Sequence, residues 1–176
     1  MSRENRVPGT GSSIQEMKGN DERWLRNCSW IVYYSKAVPG VPMDPVKVVV
    51  RYADGKIIKG YTQDFFPNKD RFHLHPQQKS SGQDTEQVLV KELKAIFFVK
   101  DFDGNPAYDE RRQFSDGEKA QGRKMEILFK DGEKLVGSTL GYEPNRPGFF
   151  VNPVDDKSNN IRVFVVQASV DRVRNL

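Results

Sequence analysis

Hydrophobic and polar residues alternate along several short stretches between residue 46 and the last residue, 176. Apolar side chains occupy every second position in Lys47–Tyr52, and Met125–Phe129 repeats the pattern. A period of two residues is typical of a β-strand with one buried face. Each stretch is followed by an Asp-Gly dipeptide, at 54–55 and at 131–132, and a second apolar stretch. This arrangement predicts a tight β-hairpin at each place.

The two hairpins belong to an internal duplication. Residues 48–76 and 125–153 align without a gap at an offset of 77 positions. The shared positions are turn residues and core residues: Asp54 and Asp131, Gly55 and Gly132, Gly60 and Gly137, Pro67 and Pro144, Asn68 and Asn145, Phe72 and Phe149, and Pro76 and Pro153. Gly60 and Gly137 interrupt the second strand of each copy, which predicts a sharp bend or a bulge.

Each copy predicts five short, strongly bent strands. The predicted fold is therefore all-β, with two small five-stranded SH3-like or Sm-like barrels in tandem. The first barrel is predicted over 46–101 and the second over 124–176. The inter-barrel segment, 102–123, is expected to hold a short helix around Tyr108–Phe114.

The first 45 residues are less clearly patterned. Residues 1–20 are rich in Gly, Ser, Asn and charge, and we predict a disordered tail. Residues 21–45 are predicted to dock on the core. Helical spacing of Trp24 and Cys28 favours a helix there, whereas the run Ser29–Tyr34 favours a strand, and both interpretations stay open.

Composition limits the function classes and the cellular compartments that we expect for the protein. The net charge is +4, from 28 basic and 24 acidic residues, and no segment concentrates the excess into the basic field of a non-specific nucleic-acid binder. The single cysteine, Cys28, fits a reducing compartment, and no apolar run approaches the ~18 residues that a membrane span needs. The sequence begins with polar residues, so we expect a cytoplasmic protein without a membrane partner.

Two histidines are the first candidates for chemistry. His73 and His75 lie two residues apart on the predicted third strand, so both imidazoles are expected on one outward face. With a carboxylate such as Asp64 or Asp70 they could begin a metal site. The second copy has Phe150 and Asn152 at these positions. We therefore expect solvated histidines, with no metal and no cofactor.

Other candidate contacts lie in loops and on one strand. The pairs Asn68-Lys69 and Asn145-Arg146 recur as an amide followed by a cation, although Pro-Asn is first of all a turn signal. Phe97 and Phe98 are neighbours on a strand, so one of them must face outward, either covered internally or open to a partner. The adjacent pair Arg111 and Arg112 lies outside both predicted barrels. The complete set of candidate ligand or partner contacts is Asn68, Lys69, His73, His75, Phe98, Arg111, Arg112, Asn145 and Arg146.

One resemblance concerns the start of each copy. The order of strand, hairpin and bent strand, with Gly60 or Gly137 and then Asn68 or Asn145, resembles the first motif of Sm-like RNA-binding proteins. That resemblance implies a base-binding loop and an Arg-Gly pair between the last two strands. Only the Asn is present in the loop, and the chain has Lys91-Glu92 and Gln167-Ala168 in place of Arg-Gly. RNA or nucleotide binding is therefore the alternative and not the main prediction.

A second resemblance covers roughly residues 46–176. The stretches Val50–Tyr61, Lys94–Phe102, Gly148–Val151 and Ser158–Val166 resemble an uncharacterised bacterial domain family whose members occur alone or beside PilZ and other signalling domains. This resemblance implies a bacterial, cytoplasmic setting in signalling and no established activity. The residues by which PilZ domains bind cyclic dinucleotides are absent here, because the stretch Gly137–Gly141 lacks the acidic residue and the preceding Arg pair.

The sequence contains no combination of nucleophile, base and oxyanion-binding loop that would indicate an enzyme. The functional prediction is a non-enzymatic protein-interaction or regulatory module in bacterial signalling. A protein partner is favoured over nucleic acid, and the oligomeric state stays open.

Overall fold

The computed structural model describes residues 45–78 and 84–176. The predictions for residues 1–20 and for nearly all of 21–45 lie outside these ranges. The described chain consists of ten β-strands, two 3₁₀ turns at Val90–Glu92 and Gln167–Ser169, and loops. The strands are β1 Val46–Tyr52, β2 Ile57–Thr62, β3 Arg71–Pro76, β4 Glu86–Leu89, β5 Leu93–Val99, β6 Arg123–Phe129, β7 Lys134–Thr139, β8 Gly148–Pro153, β9 Asn160–Val166 and β10 Val170–Asn175.

The ten strands form one antiparallel sheet in the order β10-β6-β7-β8-β9-β5-β1-β2-β3-β4. Each repeat contributes five neighbouring strands, and the repeats join where β9 of the second pairs with β5 of the first, from Ala95 opposite Val165 to Val99 opposite Asn160. The predicted all-β class is confirmed. Two separate barrels are not confirmed, because the sheet continues from one repeat into the other and does not close into a barrel.

Both predicted hairpins are present. Gly55 has a φ of 93° and Gly132 a φ of 85°, a backbone region that glycine occupies without steric cost. Antiparallel pairs on either side close the turns, with Tyr52 N donating to Lys56 O at 2.8 Å and Phe129 N to Glu133 O at 2.9 Å. The Asp-Gly signal thus predicted the local turn correctly.

The strand glycines, Gly60 and Gly137, let neighbouring strands approach closely and do not form bulges. The register of β1 against β2 runs unbroken past Gly60, which lies opposite Val48 on one side and Pro76 of β3 on the other. A Cβ atom on Gly60 would lie 2.5 Å from the carbonyl oxygen of His75. The bulge interpretation is therefore wrong, and these positions need glycine because a third strand leaves no room for a side chain.

The residues that the structure describes form two hydrophobic cores, and both cross the boundary between the repeats. The first core is built from repeat 1 but includes Phe164 and Val166 of β9. The second is built from repeat 2 but includes Ala95 of β5. Neither repeat therefore completes its core without a strand of the other.

The segment between β5 and β6 contains no helix, so the helix expected at Tyr108–Phe114 is wrong. Side chains replace the helical hydrogen bonds: the Asp155 carboxylate accepts from Arg111 N at 3.1 Å, and Glu118 accepts from Ser115 N at 2.8 Å. Tyr108 Oη also donates to Asp155 at 2.7 Å. None of the helical turns in the described ranges has the length and apolar character that crossing a membrane requires.

Candidate functional site

The best-defined contact surface is the inter-repeat junction, which we define as the β5–β9 pairing and the side chains around it. Phe65, from the loop after β2, is 4% exposed and lies at its centre. Its ring makes edge-to-face contacts with four others, with centroid distances of 5.1 Å to Phe164, 5.2 Å to Phe72, 5.6 Å to Phe98 and 6.3 Å to Phe150. Because two of these rings belong to each repeat, the cluster holds the repeats together.

The predicted contact residue Phe98 belongs to this cluster and is 5% exposed. Its neighbour Phe97 is the partly exposed member of the pair, and the Arg51 guanidinium lies 5.5 Å from its ring centroid. Phe98 is thus covered internally, by Phe150 of the other repeat at 5.8 Å.

The other side of the junction is ionic. The Lys94 side chain on β5 is only 7% exposed, and its ammonium group donates to the carboxylates of Asp131 and Glu133 on the second hairpin. Arg51 also reaches Glu133 at 3.0 Å. The hydrogen bond from Lys94 holds the pKa of Asp131 below its usual value. Burial alone would raise the pKa of Glu133, but the bond from Lys94 and the charge of Arg51 lower it overall.

Replacing Lys94 by Met is expected to lower the free energy of unfolding at neutral pH by about 2 kcal/mol. The change leaves two neighbouring carboxylates without their buried cation. The cost stays below that of a fully buried pair because both carboxylates are about half exposed to water. Urea denaturation measures it, and Lys91→Met, an exposed lysine just before β5, is the matched control.

The stability that this ionic cluster contributes should decrease at acidic pH. Folding lowers the pKa of Asp131 and Glu133, so their ion pairs stabilise the fold above the unfolded pKa values and cease to do so as pH falls through the folded ones. The difference between wild type and Lys94→Met should therefore shrink below about pH 4. Equal denaturation midpoints at pH 7 would contradict the assignment of this cluster.

The first repeat presents the surface that corresponds to this junction, and no strand of the described residues pairs with its outer edge. We call it the open end and define it by His73 of β3 and Glu86 and Gln87 of β4. The register of β3 against β4 places His73 opposite Gln87. The register of β8 against β9 places Phe150 opposite Phe164 at the corresponding positions. In repeat 2 those two aromatic side chains are packed against repeat 1, whereas His73 and Gln87 are exposed.

The histidines at the open end are held by hydrogen bonds. His73 Nδ1 lies 2.7 Å from Asp64 Oδ2, and its backbone N–H donates to Asp64 Oδ1 at 2.9 Å. Burial would raise the pKa of Asp64, but these bonds lower it. His75 Nδ1 lies 3.1 Å from both Asp84 O and Thr85 Oγ1. Over the described part of the chain, no three His, Cys, Asp or Glu side chains come together as a metal site.

The two Pro-Asn loops form equivalent turns. Lys69 N donates to Phe66 O at 3.0 Å, and Arg146 N donates to Glu143 O at 3.2 Å, with Pro in the second position of each turn. Asn68 and Asn145 are exposed at the tips. The cations have local partners, since Lys69 Nζ lies 4.5 Å from the Phe66 ring centroid and Arg146 Nε lies 2.7 Å from Glu143 Oε2.

The arginine pair lies apart from these surfaces, in the segment between the repeats. Arg111 donates to both carboxylate oxygens of Glu118 and, at 2.8 Å, to Val154 O. Arg112 is exposed. Arg111 thus anchors the segment between the repeats to the loop after β8.

Sequence reasoning did not identify Phe65, Lys94 or Phe150 as junction residues. One signal was present: the outward position held by His73 in the first copy is held by Phe150 in the second. A large apolar side chain at an outward strand position indicates that something covers it.

Comparison with known proteins supports one part of the second resemblance, the match to an uncharacterised domain family. Residues 44–176 match a family of unknown function, DUF6982. The chain belongs to this family. No curated protein and no solved structure matches the chain significantly. Membership of DUF6982 thus confirms an uncharacterised domain and assigns it no activity.

Proposed function

We propose that this DUF6982 chain is a non-enzymatic protein-interaction or regulatory module in bacterial signalling, and that it binds its partner at the open end. One observation carries the proposal. The equivalent surface of the second repeat is covered by a five-stranded unit, which is the first repeat itself. The corresponding surface of repeat 1, where β3 and β4 pair as β8 and β9 do, is exposed.

Binding would proceed by strand addition. Among the described residues, β4 pairs with β3 alone, so its outer edge presents backbone N–H and C=O groups. An unpaired edge of this kind is a template for another strand. Exposed polar side chains such as Gln87 in place of Phe164 would let the partner leave again, as regulation requires.

Nucleic acid is the less favoured partner. The Pro-Asn loops were the predicted RNA contacts, and in both the cation contacts a neighbouring side chain, Phe66 for Lys69 and Glu143 for Arg146. Phosphate binding would have to compete with these local contacts.

A photo-crosslinking amino acid at position 87 tests the proposal in the native cell. We expect a discrete covalent adduct from position 87, and none from the same amino acid at Gln113, an exposed position between the repeats. Mass spectrometry then identifies the partner. No adduct from position 87, or the same adducts from both positions, would overturn the proposal.

A further inference from the structure

The geometry points to a second copy of this chain as the partner at the open end: β10 of one chain adds to β4 of the next, in the register of the β5–β9 junction. This inference rests on the proposed function, since it names the occupant of the same surface.

The chain has both halves of a second junction. Among the described residues, eight strands of the sheet have a neighbour on each side, while β10 and β4 have one each, β6 and β3 respectively. The edge β10 is the duplicate of β5, because Arg172 pairs with Leu128 as Ala95 pairs with Arg51. The edge β4 is the duplicate of β9, because Phe72 pairs with Val88 as Phe149 pairs with Val165.

The two half-junctions lie at opposite ends of the sheet. A chain therefore offers β10 to one neighbour and β4 to another. Such an interface is heterologous, and repeated association gives a ring if the rotation closes and a filament if it does not.

Transferring the register of the inter-repeat junction onto these edges brings opposite charges together. Phe97 lies opposite Val163 in that junction. The residue that corresponds to Phe97 in the second repeat is Arg174 on β10, and the residue that corresponds to Val163 in the first repeat is Glu86 on β4. The same register between two chains therefore places Arg174 of one chain opposite Glu86 of the next. The Arg174 side chain is 63% exposed and that of Glu86 37% exposed, so both are accessible. Their ion pairs within the chain, with Glu126 at 3.2 Å and Lys56 at 3.4 Å, lie on the surface and can be shared.

The ionic cluster of the junction also has a counterpart. Lys94 and Glu133 correspond to Asp171 and Lys56, so the two charges have exchanged places and still attract. Two acidic residues of the first repeat would repel Asp171. They are Asp54, which corresponds to Asp131, and Glu92, which corresponds to Ser169. The second junction therefore has fewer attractive contacts than the first.

The aromatic cluster is replaced by polar residues. Phe65, Phe98, Phe150 and Phe164 correspond to Tyr142, Asn175, His73 and Gln87. Less apolar area is thus buried, and we expect association to be reversible and to weaken with added salt. The side chains of the two junctions thus suit different roles. The first junction holds one chain together permanently, and the second joins separate chains.

Sedimentation velocity of the full chain over a range of concentrations tests the inference. The wild type is expected to form dimers and larger species at low salt and to dissociate at high salt. Glu86→Arg and Arg174→Glu each place like charges opposite each other, so each variant alone should weaken association about tenfold. Lys134→Glu, which changes an exposed charge on β7, should leave association unchanged.

Mixing the two variants provides the decisive measurement. In an equimolar mixture the arginine introduced on β4 of one variant meets the glutamate introduced on β10 of the other, so the two charges attract again. Association should therefore return to the wild-type level without any change in either fold. The double variant should associate in the same way. A wild type that stays monomeric at every concentration, or a mixture that does not recover, would overturn the inference.

The crosslinking experiment separates this inference from the proposed function. An adduct of twice the chain mass from position 87 supports a second copy as partner. An adduct with a different protein would overturn this inference and leave the interaction module intact, and no adduct would overturn both.

Discussion

Phe65→Ala is expected to lower the free energy of unfolding by about 3–5 kcal/mol. The side chain is 4% exposed and contacts four aromatic rings, two of them in the other repeat. Its removal leaves a cavity that cannot collapse easily, because the strands on both sides are held by backbone pairing. Chemical denaturation followed by intrinsic fluorescence and by circular dichroism measures the loss.

Phe66→Ala is the matched control for this prediction. Phe66 is the next residue in the same loop and is only half-buried, with Lys69 over its ring. We expect it to cost about 1 kcal/mol. If the two variants were equally stable, Phe65 would not hold the junction. Because both cores cross the repeats, the Phe65 variant should also unfold in one transition, not repeat by repeat.

Gly137→Ala is expected to cost about 3 kcal/mol. A Cβ atom at this position would lie 2.3 Å from Asn152 O and 2.5 Å from Val151 Cγ1. The first of these atoms is backbone, so relief requires β7 and β8 to move apart and to lose their short pairing at Gly137–Pro153 and Ser138–Asn152. The melting temperature and the denaturation midpoint report the effect.

Gly132→Ala separates crowding from backbone strain. Gly132 has a φ of 85° but nothing within 4 Å of its Cβ position, so alanine there suffers only the left-handed conformation, about 1 kcal/mol. Gly60→Ala should behave like Gly137→Ala, because a Cβ there would lie 2.5 Å from His75 O. Equal losses at positions 132 and 137 would contradict the close-approach role of the strand glycines.

The local elements could be predicted from the sequence because their causes are local. Alternation at Lys47–Tyr52 defines a buried face, and Asp-Gly defines a turn whose conformation requires glycine. The expected helix at Tyr108–Phe114 failed for a long-range reason. Asp155, far along the chain, accepts a hydrogen bond from the backbone N–H of Arg111, a group that a helix would have paired with a backbone carbonyl. The same carboxylate accepts from the Tyr108 hydroxyl, which fixes this segment further.

The candidate site could be predicted only in part. The histidines and the Pro-Asn turns were recognisable as residues, but their neighbours depend on which strands meet. Phe98 was predicted as a candidate partner contact, and its cover within the chain, Phe150 of the other repeat, could be identified only from the structure. Lys94 gave no signal, since an isolated lysine in a strand is usually solvated.

By itself the sequence determined that the chain is duplicated, that each copy is a series of short β-strands, and where the hairpin turns lie. These properties follow from side-chain periodicity and from backbone preferences of single residues. Only the tertiary structure decided how the copies are joined. A strand edge presents the same N–H and C=O groups whatever its side chains, so pairing partners depend on which edges meet in space. Here β9 meets β5 across the repeats, so the described strands form one ten-stranded sheet with β4 and β10 at its ends.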